Sequence, residues 1–340
     1  MYGKTSTKDM IASVLSQKYK VLKTEGNLNN HIGLPLTLLK LENHTAVVVE
    51  MGMNHVGEIS LLTNIAKPTG CVITNIGTSH IGNLGSRENI LKAKLEILEG
   101  LNNDGFILIN NDNDLLNEWA KKESIHNIYT YGIENQSIYM AENIKEFGNN
   151  SVFYVTGTRI NVPVGGRHFI YNAICAFSVG YLLYIEKEKI KKGISDFKLT
   201  EKRMDIQIIK NNIKIINDSY NASYDSMKAA LEVTRKTEAK RKIAVLGDML
   251  ELGKYSRELH EKVGEEVVKN KIDILITIGK HAKNIATRAK KLGMKDIYIF
   301  DDIATGTEYI KRNIYSGDLI LLKASNFMNF SKILEELKNN

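Results

Sequence analysis

The sequence predicts an α/β protein built from two doubly wound, parallel-sheet units in tandem, and two observations carry that prediction. Short apolar runs, most of them closed by a polar residue, alternate with helix-like stretches along most of the 340 residues. This is the pattern of βαβ units, whose strands are buried on both faces and read as continuous apolar runs. The alternation pauses at the polar run Leu199-Thr200-Glu201-Lys202-Arg203-Met204-Asp205 and then resumes, which predicts domains over 1–200 and 201–340.

Taken in order, residues 7–15 set apolar side chains at helical spacing behind hydroxyl residues and predict a helix. Thr45-Ala46-Val47-Val48-Val49-Glu50 predicts a strand, as do 70–75 and 105–110, with a helix over 88–101 between the last two. Short strand-rich pieces over 126–164 predict an antiparallel annex, and the mostly apolar 167–188 predicts one long helix. Beyond the pause, strands over 213–218, 242–248, 272–279, 297–300 and 318–323, with a helix through 227–231, predict the second doubly wound unit.

Hydrophobic residues at 43% and charged residues at 25% match an ordinary globular chain that buries a sizeable core. No apolar run approaches the ~20 residues that span a bilayer, so membrane insertion is not expected. The basic residues near the start lead into an amphipathic stretch rather than the apolar core of a signal peptide. Cys71 and Cys175 sit in apolar runs and read as small core residues, which favours a cytoplasmic protein. The formal charge of +7 comes from scattered lysines, with no basic stripe interleaved with aromatics, so a nucleic-acid surface is not expected. No heptad pattern or exposed apolar face is visible, and a monomer is expected.

The chemistry begins at the amino terminus. Gly3-Lys4-Thr5 is the back half of the phosphate-binding pattern G-x-x-x-x-G-K-[ST], in which backbone N–H groups cradle phosphates, the lysine neutralises them and the hydroxyl meets Mg²⁺. In a parallel sheet, ligands sit outside the carboxyl ends of strands. Two strand ends carry suitable groups there: Glu50, a hard oxygen ligand for Mg²⁺, and the loop Thr74-Asn75-Ile76-Gly77-Thr78-Ser79-His80, which delivers an imidazole.

These segments, with Gly26-Asn27-Leu28-Asn29-Asn30-His31-Ile32-Gly33-Leu34-Pro35 and Glu50-Met51-Gly52-Met53-Asn54, resemble the Mur ligases of bacterial peptidoglycan synthesis. Asn217-Asp218-Ser219-Tyr220-Asn221-Ala222 and Gly247-Asp248-Met249-Leu250-Glu251-Leu252-Gly253 extend the resemblance, which runs from residue 3 to about 330. It implies a central P-loop ATPase-like domain followed by a Rossmann-like C-terminal domain. The implied activity is ATP-dependent amide ligation of D-alanyl-D-alanine to UDP-MurNAc-tripeptide through an acyl phosphate, both partners being small molecules. ATP, Mg²⁺ (two ions) and a carbamate on Lys94 are the implied cofactors.

The resemblance also implies roles residue by residue. Lys4, Glu50, His80 and Lys94 would be catalytic, and Thr5, Glu50, His80 and Lys94 would serve the metals. Gly3, Lys4, Thr5, Ser6, Asn172, Arg203 and Asp218 would hold ATP. Asn30, Tyr220, Asn221 and Ser325 would face substrate, Asn30 in the loop near the UDP-sugar and the two central ones in the motif after Asp218. Two positions depart from the family pattern: Phe169 stands where an asparagine is usual, and Asn326 where an arginine is usual.

Two other readings fit part of the sequence. A catalytically silent fragment would keep the scaffold but bind nucleotide weakly or not at all, because the sequence carries only the back half of the loop. A folylpolyglutamate-type or cyanophycin-type amide ligase is disfavoured by the motifs at 218–222 and 247–251.

Overall fold

The computed structural model describes residues 3–123, 127–199 and 202–339. The chain divides into compact units over 1–198 and 199–340. The boundary expected at 200/201 lies outside the described residues.

In the first unit, α1 (Lys4–Leu15) leads to β1 (Val21–Lys23), α2 (Gly33–Leu38), β2 (Ala46–Val48), α3 (Glu58–Ala66) and β3 (Gly70–Ile73). There follow α4 (Ile81–Leu84), α5 (Arg87–Leu95), β4 (Phe106–Asn110), α6 (Asp114–Lys122), β5 (Ile128–Gly132) and β6 (Tyr139–Met140). Then come β7 (Glu142–Glu146), β8 (Ser151–Val155), β9 (Thr158–Val162), α7 (Arg167–Leu182) and α8 (Lys187–Ser195). Two helices start on side-chain caps: Ser86 accepts from Asn89 N–H before α5, and Asn113 from Leu116 N–H before α6. β1 and β2 form a parallel pair, β3-β4-β5-β6 a four-stranded parallel sheet, and β7-β8-β9 an antiparallel sheet.

Three expectations need correcting here. The annex is antiparallel only from β7 onward; β5 and β6 continue the parallel sheet. Their link is short because the Asp112 carboxylate accepts N–H bonds from Ile133, Glu134 and Asn135, folding a tight turn the alternation did not signal. The stretch 167–188 is two helices. Tyr184 takes a left-handed conformation (φ 54°) and Ile185 N–H closes back on Gly180 O at 2.9 Å, a C-terminal lock that glycine usually makes. The helix expected over 88–101 ends its α-form at Leu95 and tightens into a 3₁₀ segment, Glu96–Gly100.

The second unit runs β10 (Asp205–Ile209), β11 (Ile213–Asn217), α9 (Tyr224–Lys236), β12 (Arg241–Gly247), α10 (Ser256–Lys269), β13 (Ile274–Ile278) and α11 (Lys283–Lys291). It closes with β14 (Ile297–Phe300), α12 (Ile303–Asn313), β15 (Asp318–Lys323) and α13 (Ser331–Lys338). The sheet order is β10-β11-β15-β12-β13-β14, parallel except for β10 at one edge. β10 falls where the sequence showed only a boundary. Alternate residues of the central strands, among them Ile215, Val245, Ile276 and Leu322, pack with Ile310, Phe330, Ile333 and Leu337 into one buried cluster. Cys71 and Cys175 are buried, as expected, and burial pushes both thiols up to about 12.

Candidate functional site

The first site grows from the start of α1. Gly3 caps the helix at φ 88°, a conformation that costs glycine nothing and an L side chain a good deal. The turn it makes sends Lys4 and Thr5 to the carboxyl end of β2. Lys4 Nζ donates to Met51 O at 2.7 Å and lies 3.8 Å from the Glu50 carboxylate. Thr5 Oγ1 donates to Glu50 Oε2 at 2.7 Å. Glu50 is buried, so its charge needs partners. Asn29 Nδ2 supplies one to Oε1 at 2.8 Å, and Glu50 N–H is fixed by Thr24 Oγ1 at 2.9 Å. Ser6 and Lys8 are buried in the same first turns, and Lys8 Nζ donates to Thr24 O at 2.6 Å.

Asn172, on α7, faces this helix start. Its Oδ1 accepts from Thr7 Oγ1 at 2.9 Å and lies 3.6 Å from where a Cβ on Gly3 would be. Its Nδ2 is buried with no partner among the described residues, a donor left for something the loop holds. Lys94 donates to the carbonyl of Asn75, in the loop after β3. Lys4, Glu50 and Lys94 line one cavity of about 690 Å³. His80 caps α4 at φ 63° and is not among the residues lining that cavity. Asn30 Oδ1 accepts from Gly33 N–H at 2.8 Å and so braces the start of α2.

Of the residues expected at the metals, the structure bonds Thr5 to Glu50, and Lys94 lines the same cavity as Glu50. Among the described residues no group of three His, Cys, Asp or Glu side chains could hold a metal. The oxygens that do converge, a carboxylate and a hydroxyl, fit Mg²⁺, which keeps several waters and takes few protein ligands.

The second cluster lies in the second unit, at the carboxyl ends of β11 and β15. Lys323 is buried at the end of an otherwise apolar strand and donates to Asp218 Oδ2 at 2.5 Å, to Asp218 O at 3.2 Å and to Asn221 O at 3.0 Å. Burial pulls its ammonium below the ordinary lysine range, against the Asp218 carboxylate, which favours the charged form. Asp218 Oδ1 accepts from Met204 N–H at 3.2 Å, and the Arg203 guanidinium lies 3.9 Å over the Tyr220 ring. Ser325 is buried, and its Oγ accepts from Leu250 N–H at 2.9 Å, leaving the hydroxyl proton to donate.

Residues 2–180 match the model of the Mur ligase middle domain, and residues 202–326 that of the Mur ligase, glutamate ligase domain. The chain belongs to the Mur ligase family. Among relatives of this Mur ligase, the UDP-N-acetylmuramoyl-tripeptide--D-alanyl-D-alanine ligase of Bacillus subtilis is 41% identical over 98% of the chain and 74% of the relative. The ligase of the same name from Synechocystis is 34% identical over 98% of the chain and 72% of the relative. A crystal structure of MurF from Acinetobacter baumannii superimposes with a TM-score of 0.92 at 29% identity, covering 99% of this chain and 75% of that one. MurF ligase from Thermotoga maritima in complex with ADP gives 0.88 at 25% identity, covering all of this chain and 78% of that one.

Three side chains of these two clusters were not singled out from the sequence. Asn29 and Thr24 anchor Glu50, and Lys323 anchors Asp218. Lys323 had a signal: a lysine closing the run Leu319-Ile320-Leu321-Leu322 is a charge buried for a reason. Asn29 lies in the segment 26–35 that carries the resemblance, Thr24 had no signal, and both meet Glu50 only through folding.

Proposed function

We propose that the chain is an ATP-dependent amide ligase that joins D-alanyl-D-alanine to UDP-MurNAc-tripeptide, with residues 1–200 as its ATP-binding domain and 201–340 as its C-terminal ligase domain. The observation that carries the reading is the Lys4–Thr5–Glu50 cluster on a chain 41% identical to a ligase of that name. Lys4 and the first N–H groups of α1 hold the phosphates, and Thr5 and Glu50 are the residues that hold Mg²⁺. When bound, the ion neutralises charge on the γ-phosphate as it passes to the tripeptide carboxylate. The carboxylate oxygen attacks phosphorus and ADP leaves, giving an acyl phosphate. The dipeptide amine then adds to the carbonyl carbon, and inorganic phosphate departs. Neither step needs a covalent bond to the protein, only positioning and fixed charge.

His80 and Lys94, the latter as a carbamate, complete the assignment on the phosphate side with a second Mg²⁺. Gly3, Ser6, Asn172, Arg203 and Asp218 contact the nucleotide. Asn172 does so through its unpartnered Nδ2. Asn30, Tyr220, Asn221 and Ser325 face the two substrates. A cytoplasmic monomer without nucleic-acid partners agrees with this role. Among the described residues no helix is long and apolar enough to cross a membrane.

Phosphate release by the 340-residue chain with ATP, Mg²⁺, UDP-MurNAc-tripeptide and D-alanyl-D-alanine tests the reading. Release that needs both substrates and disappears in Lys4→Ala is expected. No release from a chain shown to be folded supports the silent-fragment reading instead.

A further inference from the structure

The motif Gly247-Asp248-Met249-Leu250-Glu251-Leu252-Gly253, at the carboxyl end of β12, is a sequence signature that the proposed reaction leaves without a task. Its root is fixed and its tip is open. Met249 and Leu252 are buried, while Leu250 is 37% exposed and Glu251 takes a left-handed conformation at φ 63°. Three neighbours distant in sequence hold the loop. Asp248 Oδ1 accepts from His281 N–H at 2.9 Å and from Ala282 N–H at 2.7 Å. Met249 N–H donates to His260 Nε2 at 3.0 Å, and Leu250 N–H donates to Ser325 Oγ at 2.9 Å.

His260, on α10, is fully buried. Its Nδ1 lies 2.6 Å from Ser256 O, which can only accept, so Nδ1 carries the proton and Nε2 is a bare acceptor. A buried imidazole is costly unless both nitrogens are partnered, and here one partner is a helix carbonyl and the other is the loop. The peptide joining Asp248 to Met249 is planar and trans, so its N–H and C=O point in opposite directions. The N–H goes to His260, and the C=O takes Ser325 N–H at 3.0 Å. One rigid plate is thus clamped between the His260 ring and the Ser325 main chain. The next amide, Leu250 N–H, closes on the Ser325 hydroxyl oxygen and leaves its proton to donate.

We propose that His260 is a positioning residue for Ser325. Its bare Nε2 aligns the 248–249 peptide, and that peptide together with Leu250 N–H sets where the Ser325 hydroxyl meets a substrate carboxylate. The inference rests on the placement of Ser325 at the substrates in the proposed function.

The test reads amide exchange and steady-state phosphate release on the 340-residue chain carrying His260→Ala, His260→Gln or His260→Asn. Glutamine presents an acceptor as far from the backbone as Nε2, whereas asparagine reaches only as far as Nδ1. His260→Ala and His260→Asn should speed exchange at Met249 and Leu250 about tenfold or more, with Val245 in β12 still slow, and His260→Gln should keep the wild-type rates. Ser325→Ala should free Leu250 and leave Met249 slow, which separates loss of the hold from loss of the fold. In turnover, H260A and H260N should raise KM for one of the two carboxylate substrates about tenfold, with kcat and the KM for ATP within about threefold, and H260Q should restore it. Unchanged exchange at Leu250 in H260A overturns the proposal, as does recovery by asparagine and not by glutamine. Faster exchange at Leu250 with both substrate KM values unchanged also overturns it, because the hold then serves stability alone. If H260A does not fold, the comparison of asparagine with glutamine makes the same decision. If the wild-type chain releases no phosphate, the ligase reading fails by itself, and exchange at Leu250 still decides whether His260 holds Ser325.

Discussion

At the scale of single residues, each of the two clusters is built on a buried charge held by partners. Glu50 accepts from Thr5 and Asn29 and sits 3.8 Å from Lys4. Glu50→Gln keeps the volume and removes the charge, so phosphate release should fall about 10²–10³-fold while the melting temperature moves little. An unchanged rate would remove Glu50 from the metal site. Lys323 and Asp218 form a buried pair. Lys323→Ala should lower stability by about 3–5 kcal/mol, read from the urea midpoint, because it strands a carboxylate. Adding Asp218→Asn should recover part of that loss, and an additive double mutant would deny the coupling. His260 is a third case. It is fully buried, its Nε2 accepts from Met249 N–H at 3.0 Å and its Nδ1 faces Ser256 O at 2.6 Å, which fixes the neutral ring. Burial lowers its pKa below the ordinary histidine value of 6.5, outweighing the Ser256 carbonyl and the Asp248 charge, which raise it; His281 lowers it further. A depressed pKa contributes stability that is complete above the unfolded value and lost as pH falls from there through the folded value. The melting temperature should therefore drop as pH falls below about 6.5, and His260→Gln should flatten that slope.

At the scale of elements, side-chain caps fix where several helices begin. Ser223 begins α9 with a full capping box, its Oγ bound to Ser226 N–H and the Ser226 hydroxyl returning to Ser223 N–H. Ser223→Ala should cost about 1 kcal/mol by chemical denaturation, and no change would show that the cap contributes nothing here. The stop at Leu182 was hidden because Tyr184, not glycine, takes the left-handed position. β2 was legible as an apolar run over 45–50, of which Ala46–Val48 form strand, paired with β1. β10 was missed because it opens at the end of the polar run 199–205 and Gln207 interrupts its apolar residues; it pairs antiparallel with β11 at the edge of the sheet.

At the scale of the whole molecule, each unit can be described by what fills its sheet. In the second, Phe330 is fully buried in the central cluster, and a Cβ added to Gly247 would come within 2.7 Å of its ring. Phe330→Ala should destabilise by about 3–5 kcal/mol through a cavity. Gly247→Ala should cost about 1–3 kcal/mol by overpacking, and combined with F330A it should cost less than the sum. Additive values would mean that the two positions do not share the space. In the first unit the sheet is interrupted between β2 and β3, which is a property of the assembled fold and of no single segment.

By itself, the sequence determined the α/β class, the two-unit order, the strands β2, β3, β4 and β11 to β15, and the polar residues that close several of them, Glu50 and Asp218 among them. It could do so because apolar periodicity and strand-end polarity are local quantities, written within a few residues. Only the tertiary structure decided which groups meet. Thr5 and Glu50 are far apart in sequence and bonded in space, Asn29 and Thr24 anchor a carboxylate they do not resemble, and Lys323 reaches Asp218 from another strand. It also decided that Lys4, Glu50 and Lys94 line one cavity. The physical reason is the same throughout: burial makes each charge and each strand edge seek a partner, and folding, not sequence proximity, supplies it.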